Sequence, residues 1–106
     1  MQHTQQIRVL NDRARRSFSD CRVHLTPAVQ SHLHLAEILR AVRCYSQFND
    51  ENDPHAEHDF GSFAVDGDVV FWKWDYLDWD LQYHSPDPAD PDVTCRVLTI
   101  ILADEY

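Results

Sequence analysis

In "FGSFAVDGDVVFWKW", residues 60–74, two apolar and aromatic runs flank the dipeptide Asp66-Gly67. Asp-Gly is favoured in two-residue hairpin loops because a type I′ turn requires positive φ at both central positions. With those two residues as the loop, Val65 opposes Asp68 and Phe63 opposes Val70. Alternation then places Phe63, Val70, Trp72 and Trp74 on one face, which is the predicted core side. An antiparallel pair is thus the element around which the rest must pack.

Upstream, Ile7, Leu10, Ala14 and Phe18 recur at spacings of three and four, with Arg13, Arg15 and Arg16 between them, and predict an amphipathic helix. The segment "CRVHL", residues 21–25, reads as a short strand. Thr26-Pro27 offers an N-cap and a first-turn proline to a second helix, whose buried stripe is Leu35, Ile38, Leu39 and Val42. His32 and His34 fall on adjacent faces of its first half, at the core edge rather than as metal ligands. "NDENDPHAEHD", residues 49–59, has no sustained period and is a loop.

Downstream, "DYLDWDLQY", residues 75–83, moves the apolar alternation from Trp72, Trp74 and Tyr76 to Leu77, Trp79 and Leu81. That shift predicts a bulge or tight bend near Tyr76. "HSPDPADPD", residues 84–92, is a proline-punctuated acidic loop facing solvent. "TCRVLTIILADEY", residues 94–106, reads as a strand buried on both faces, with a short helix as the alternative. At 106 residues and 43% hydrophobic, residues 1–106 suit a single domain with one core. The expected class is α+β, an antiparallel sheet of about four to five strands with two helices packed on one face.

Charge is unevenly spread. Residues 1–48 hold seven Arg against Asp12, Asp20 and Glu37, whereas residues 49–106 hold fifteen acidic residues against Lys73 and Arg96. A surface of that kind repels nucleic acid and attracts basic protein surfaces. Cys21, Cys44 and Cys95 are odd in number and lack a CxxC pair, which fits reduced, largely buried thiols. No run of about 20 apolar residues and no basic-apolar leader is present, so a cytoplasmic protein without membrane contact is expected.

The stretches "DPHAEHDFGSF", "VFWKWDYLDWDL", "SPDPADP" and "TCRVLTIILADEY" resemble the serial motifs of a family of short bacterial proteins catalogued as a domain of unknown function. The positions that carry the resemblance are Asp53, Pro54, Glu57, His58, Asp59, Phe60, Gly61, Trp72, Lys73, Asp75, Ser85, Pro86, Asp87, Pro88, Asp90, Pro91, Arg96, Glu105 and Tyr106. Membership implies a soluble bacterial protein in a plasmid or other mobile-element setting and brings no established activity. Trp74 departs from the pattern, where a smaller apolar residue is the family's habit.

Three functional readings follow. In the first, Asp50, Glu51, Asp53, Glu57 and Asp59 in one loop, Asp75, Asp78 and Asp80 in a strand, and Asp87, Asp90 and Asp92 in another loop supply rows of carboxylates that imitate DNA phosphates. Tyr76 and Trp79, with Tyr83, add aromatic anchors, while Trp72 and Trp74 belong to the core. With the mobile-element resemblance, this reading expects an anti-defence protein, foremost an anti-CRISPR. It would bind the basic nucleic-acid-handling surface of a Cas effector or restriction enzyme, block target DNA, and bind no nucleic acid and no cofactor itself. The second reading is a small metal-dependent hydrolase in which Asp53, His55, Glu57, His58 and Asp59 supply oxygen and imidazole donors, although "HAEH" lacks the spacing of a zinc-protease helix. A third is an interaction module of the mobile element. Beside them stands an architectural reading of "EHDFG": Asp59 caps amides, His58 bridges to Lys73, Asp75 or a carbonyl, and Gly61 permits a close approach.

Overall fold

The computed structural model describes residues 2–106. Asp66 and Gly67 tip the hairpin with φ of 49° and 83°, joining β2 (Phe60–Val65) to β3 (Asp68–Leu77). The register pairs Val65 with Asp68 and Phe63 with Val70, as the alternation predicts. Val70, Trp72 and Trp74 are buried on the shared face. Trp74 therefore makes a core contact.

The remaining elements are α1 (His3–Ser17), β1 (Arg22–Leu25), α2 (Pro27–Gln30), α3 (Leu35–Arg43), β4 (Cys95–Leu102) and a closing 3-10 turn, Ala103–Glu105. The strand order is β1-β4-β3-β2. The class is α+β, with two corrections to the expectation. First, the sheet is mixed: β4 runs antiparallel to β3 but parallel to β1. No hairpin ties β1 to β4, so local turn chemistry does not set their relative direction.

Second, the expected second helix is two helices, α2 and α3, broken at Ser31–His34. The Ser31 hydroxyl donates to Pro27 O (3.0 Å), and the His34 amide donates to His32 Nδ1 (2.9 Å). These local bonds compete with the helical ladder and end it. Because His32 Nδ1 accepts, its Nε2 carries the proton that bonds Asp68 Oδ2 at 2.8 Å. The break thereby clips the helices to the hairpin tip.

The core gathers Ile7 and Ala14 of α1, Val29 of α2, Ile38 and Val42 of α3, and Trp72, Trp74, Leu98 and Ile100 of the sheet. All three helices cover this one face. The opposite face carries Phe60, Phe71, Lys73, Asp75, Thr99 and Ile101, each partly exposed, with Tyr106 edge-on to Phe71 at 5.7 Å. β4, expected to be buried on both faces, is fully buried only on the helix-covered face along most of its length.

The bend expected at Tyr76 is absent, because β3 keeps register to Leu77, which pairs with Cys95. The apolar phase shift marks the end of the strand. Asp78 then closes a turn by donating its amide to Tyr83 O (2.8 Å) and accepting from the Gln82 amide (3.0 Å). Cys95 is buried and Cys21 partly so, with burial raising the Cys21 thiol to about 11. Cys44 is exposed at the end of α3, against the expectation for the thiols as a set. No helix among the described residues is long and apolar enough to cross a membrane.

Candidate functional site

α1 turns Ile7, Asn11, Ala14 and Arg15 toward the sheet, so two polar residues share the core stripe with two apolar ones. Spacing of four places Asn11 beneath Ile7 and Arg15 beneath Asn11, a signal available in the sequence that the apolar count overlooks. Asn11 Nδ2 donates to Tyr76 Oη (2.8 Å) and Glu57 O (3.0 Å), while its Oδ1 accepts from Arg96 Nε (2.9 Å). Tyr76 Oη in turn donates to Glu57 Oε1 at 2.9 Å. One amide thereby ties α1 to β3, β4 and the loop 49–59.

Arg15 is only 1% exposed. It donates to Val42 O (2.8 Å) and Asp12 Oδ1 (3.1 Å), and its guanidinium lies 4.9 Å from the Trp72 ring centroid. The same Asp12 carboxylate receives His58 Nδ1 at 3.0 and 3.1 Å. The His58 ring stacks flat on Phe48, centroids 3.7 Å apart and planes within 1°. Asp53 Oδ1 accepts the His58 amide (3.1 Å) and its Oδ2 stands 3.6 Å from His58 Nε2. An imidazole oriented by a carboxylate is the arrangement of a general base in hydrolases. Here Nδ1 bonds the Asp12 carboxylate and Nε2 faces that of Asp53 at 3.6 Å.

Gly61 pairs with Trp72 in the sheet, and a Cβ on Gly61 would overlap the indole. "EHDFG" therefore works as architecture, with partners partly different from those expected. Asp53 rather than Asp59 caps the loop amide; His58 bridges to Asp12 and Asp53 rather than to Lys73 or Asp75. Asp59 contributes its backbone carbonyl, which accepts from Trp74 N at 2.9 Å. Burial raises the Asp59 carboxyl above its ordinary pKa and lowers those of Arg15 and Arg96, in each case because desolvation disfavours the charged form. Desolvation likewise pushes the Tyr76 phenol up.

The loop 49–59 enters β2 and the loop 78–94 leaves β3, so both acidic segments lie at the sheet end opposite Asp66-Gly67. α1 bridges them: Arg8 donates to Ala56 O (3.1 Å), and His3 Nε2 lies 2.7 Å from Asp87 Oδ1. That bond to His3 holds the Asp87 carboxyl below its ordinary pKa. The carboxylates divide into two groups. Asp53, Glu57, Asp78, Asp87 and Asp90 accept hydrogen bonds within the chain, and Asp75 stands 3.6 Å from Lys73 Nζ. Asp50, Glu51, Asp80 and Asp92 are exposed, with side chains that bond no described residue.

Two of the expected partner-binding residues are corrected by their burial. Tyr76 is 9% exposed and Asp53 also lies inside, because each is spent on the polar network beneath α1. Trp79, at 59% exposure, does stand on the surface, its indole donating to Asp92 O at 2.9 Å, and Tyr83 is exposed beside it. Of the residues offered for a metal, His55 points outward while Asp53 and His58 face each other. Among the described residues, no three or more His, Cys, Asp or Glu side chains converge as a metal site.

Residues 3–105 match the family described as "Protein of unknown function (DUF3768)", and the chain belongs to that family. No curated protein and no solved structure matches it.

Proposed function

We propose that this protein is an acidic inhibitor encoded by a bacterial mobile element, which binds a basic, nucleic-acid-handling surface of a defence complex and excludes target DNA. A Cas effector is the foremost candidate partner and a restriction enzyme the next. The single observation that carries the reading is the placement of two acidic loops at one sheet end, with Asp50, Glu51, Asp80 and Asp92 exposed and unbonded. Carboxylates without an internal partner are the ones able to meet a partner's Lys and Arg. Trp79 and Tyr83 beside them supply exposed aromatic area of the kind on which interface energy concentrates. The bonded carboxylates fix the loops that present the others, and a surface held in place loses less entropy on association.

The test is recovery of the protein's partners from bacteria carrying CRISPR or restriction complexes, followed by DNA competition on the purified complex. Retention of such a complex, with DNA and this protein excluding each other, supports the reading. Simultaneous binding of both to one complex, or direct binding of DNA by this protein, defeats it.

A further inference from the structure

Between α1 and the loop 78–94 the surface sinks into a cavity of about 410 Å³, walled by Leu10, Trp79 and Pro91 with Arg13 and Arg96 among its polar groups. That volume lies in the range of small-molecule sites, roughly 300–1,000 Å³, and a mostly apolar lining with a few charged groups is their usual character.

Arg96 is 4% exposed. Its Nε donates to Asn11 Oδ1 (2.9 Å) and its Nη2 to Pro88 O, whereas Nη1 donates to no described residue. No carboxylate of the described residues lies within ion-pairing distance of it. Arg13 stands exposed on the same wall, also without an ion pair. Two guanidinium groups therefore border one apolar cavity, and the buried one has donor capacity to spare. Desolvation is the largest influence on Arg96 and the charge of Glu57 offsets only part of it, so an anion entering the cavity adds a favourable interaction. Opposite, the Trp79 ring is fixed by its bond to Asp92 O and offers a flat apolar wall. Asp20, also on the lining, adds one negative charge against the two positive ones.

We propose that this cavity binds a small organic anion, a planar carboxylate carried on an apolar, ring-bearing body. The carboxylate takes Nη1 of Arg96, with Arg13 nearby, and the ring packs against Trp79 and Leu10. A guanidinium N–H makes a strong charge-assisted hydrogen bond to a carboxylate, which favours this class over a bare cation or a sugar. The site depends on basic side chains rather than on the exposed acids of the inhibitor reading, so each survives the failure of the other.

The test is an NMR titration of the ¹⁵N-labelled protein with 3-phenylpropionate and, separately, with its neutral amide, at constant ionic strength. The Trp79 indole N–H resonance should shift saturably with the acid at millimolar concentration. The amide should bind about tenfold or more weakly, the loss of one charge-assisted bond. Arg13→Gln should weaken the acid's binding and Asp20→Asn should strengthen it; both residues are exposed, and unchanged Trp72 and Trp74 indole signals verify folding. No saturable Trp79 shift, equal binding of acid and amide, or an Arg13→Gln variant that binds as the parent does would each overturn the proposal.

Discussion

Gly61 and Trp72 face each other across the β2–β3 ladder so closely that a Cβ on the glycine would overlap Nε1, Cε2 and Cζ2 of the indole. Trp72 is fully buried and cannot swing away without displacing Arg15, Phe48 and Tyr45 from its surface. Gly61→Ala is therefore expected to destabilise by about 1–3 kcal/mol, the usual cost of overpacking. Trp72→Ala should cost about 3–5 kcal/mol by the opposite defect, a cavity. Urea unfolding of the double variant checks the contact: its loss should fall short of the two single losses added, because the new methyl enters space the indole has left.

Asp12 serves two partners at once, the Arg15 guanidinium at 3.1 Å and the His58 ring at 3.0 Å. Asp12→Ala leaves the buried guanidinium without its carboxylate, a change that typically costs about 3–5 kcal/mol. Arg16→Ala, one residue past Arg15 and exposed, should stay within about 0.5 kcal/mol of the parent. Equal effects in denaturant melts would remove Asp12 from the role assigned to it.

Asp59 gives a pH signature of definite sign. Burial raises its folded pKa above the unfolded value, so its contribution favours folding below the unfolded pKa and is lost as pH rises through the folded one. Asp59→Asn removes that loss. The variant should melt higher than the parent near pH 7, and the gap should close as pH falls through the carboxylate range. A gap that widens on acidification would reverse the assignment.

Gly67 differs from Gly61 in its reason for being glycine. Its φ is +83°, and nothing lies within 4 Å of where a Cβ would be. Gly67→Val should cost about 1–2 kcal/mol from backbone strain alone, with no packing partner able to relieve it. The check is a thermal melt beside Gly67→Asn, which tolerates the left-handed region and should lose less.

The inhibitor reading predicts a division among the acids. Asp80→Asn combined with Asp92→Asn should slow association with the partner complex, more at low salt than at high, and leave the melting temperature nearly unchanged. Asp53→Ala should do the reverse, lowering the melting temperature through the loss of its hold on the His58 amide. Surface plasmon resonance at two ionic strengths separates the two behaviours.

The hairpin is legible because the Asp-Gly turn and the alternation of Phe63, Val70, Trp72 and Trp74 act over a few residues and agree with each other. The break between α2 and α3 is less so, since Thr26-Pro27 announces a helix start while the stop depends on His32 turning its ring back onto the His34 amide. The parallel pairing of β1 with β4 has no local signal at all, because the two strands share no turn. For the site, composition locates the acidic loops but not which carboxylates are free: Asp78 and Asp80 are alike in sequence, and only the turn that gives Asp78 an amide to hold distinguishes them. Arg15 reads as one of the charges between the apolar positions of α1 until the fold buries it over Trp72.

The position of β4 between β1 and β3 has a consequence for synthesis. As the ribosome releases the chain, α1 and β1 emerge before the other elements and wait, because among the described residues β1 pairs only with a strand 75 residues further on, Arg22 with Val97. The β2–β3 hairpin can form earlier, but an isolated two-stranded hairpin is marginal in water. Leu98 and Ile100, which close the core against α2 and the tryptophans, arrive with that same late strand. Commitment to the native state therefore falls after translation of residue 102, and until then Trp72 and Trp74 lie open to chaperones and to other nascent chains.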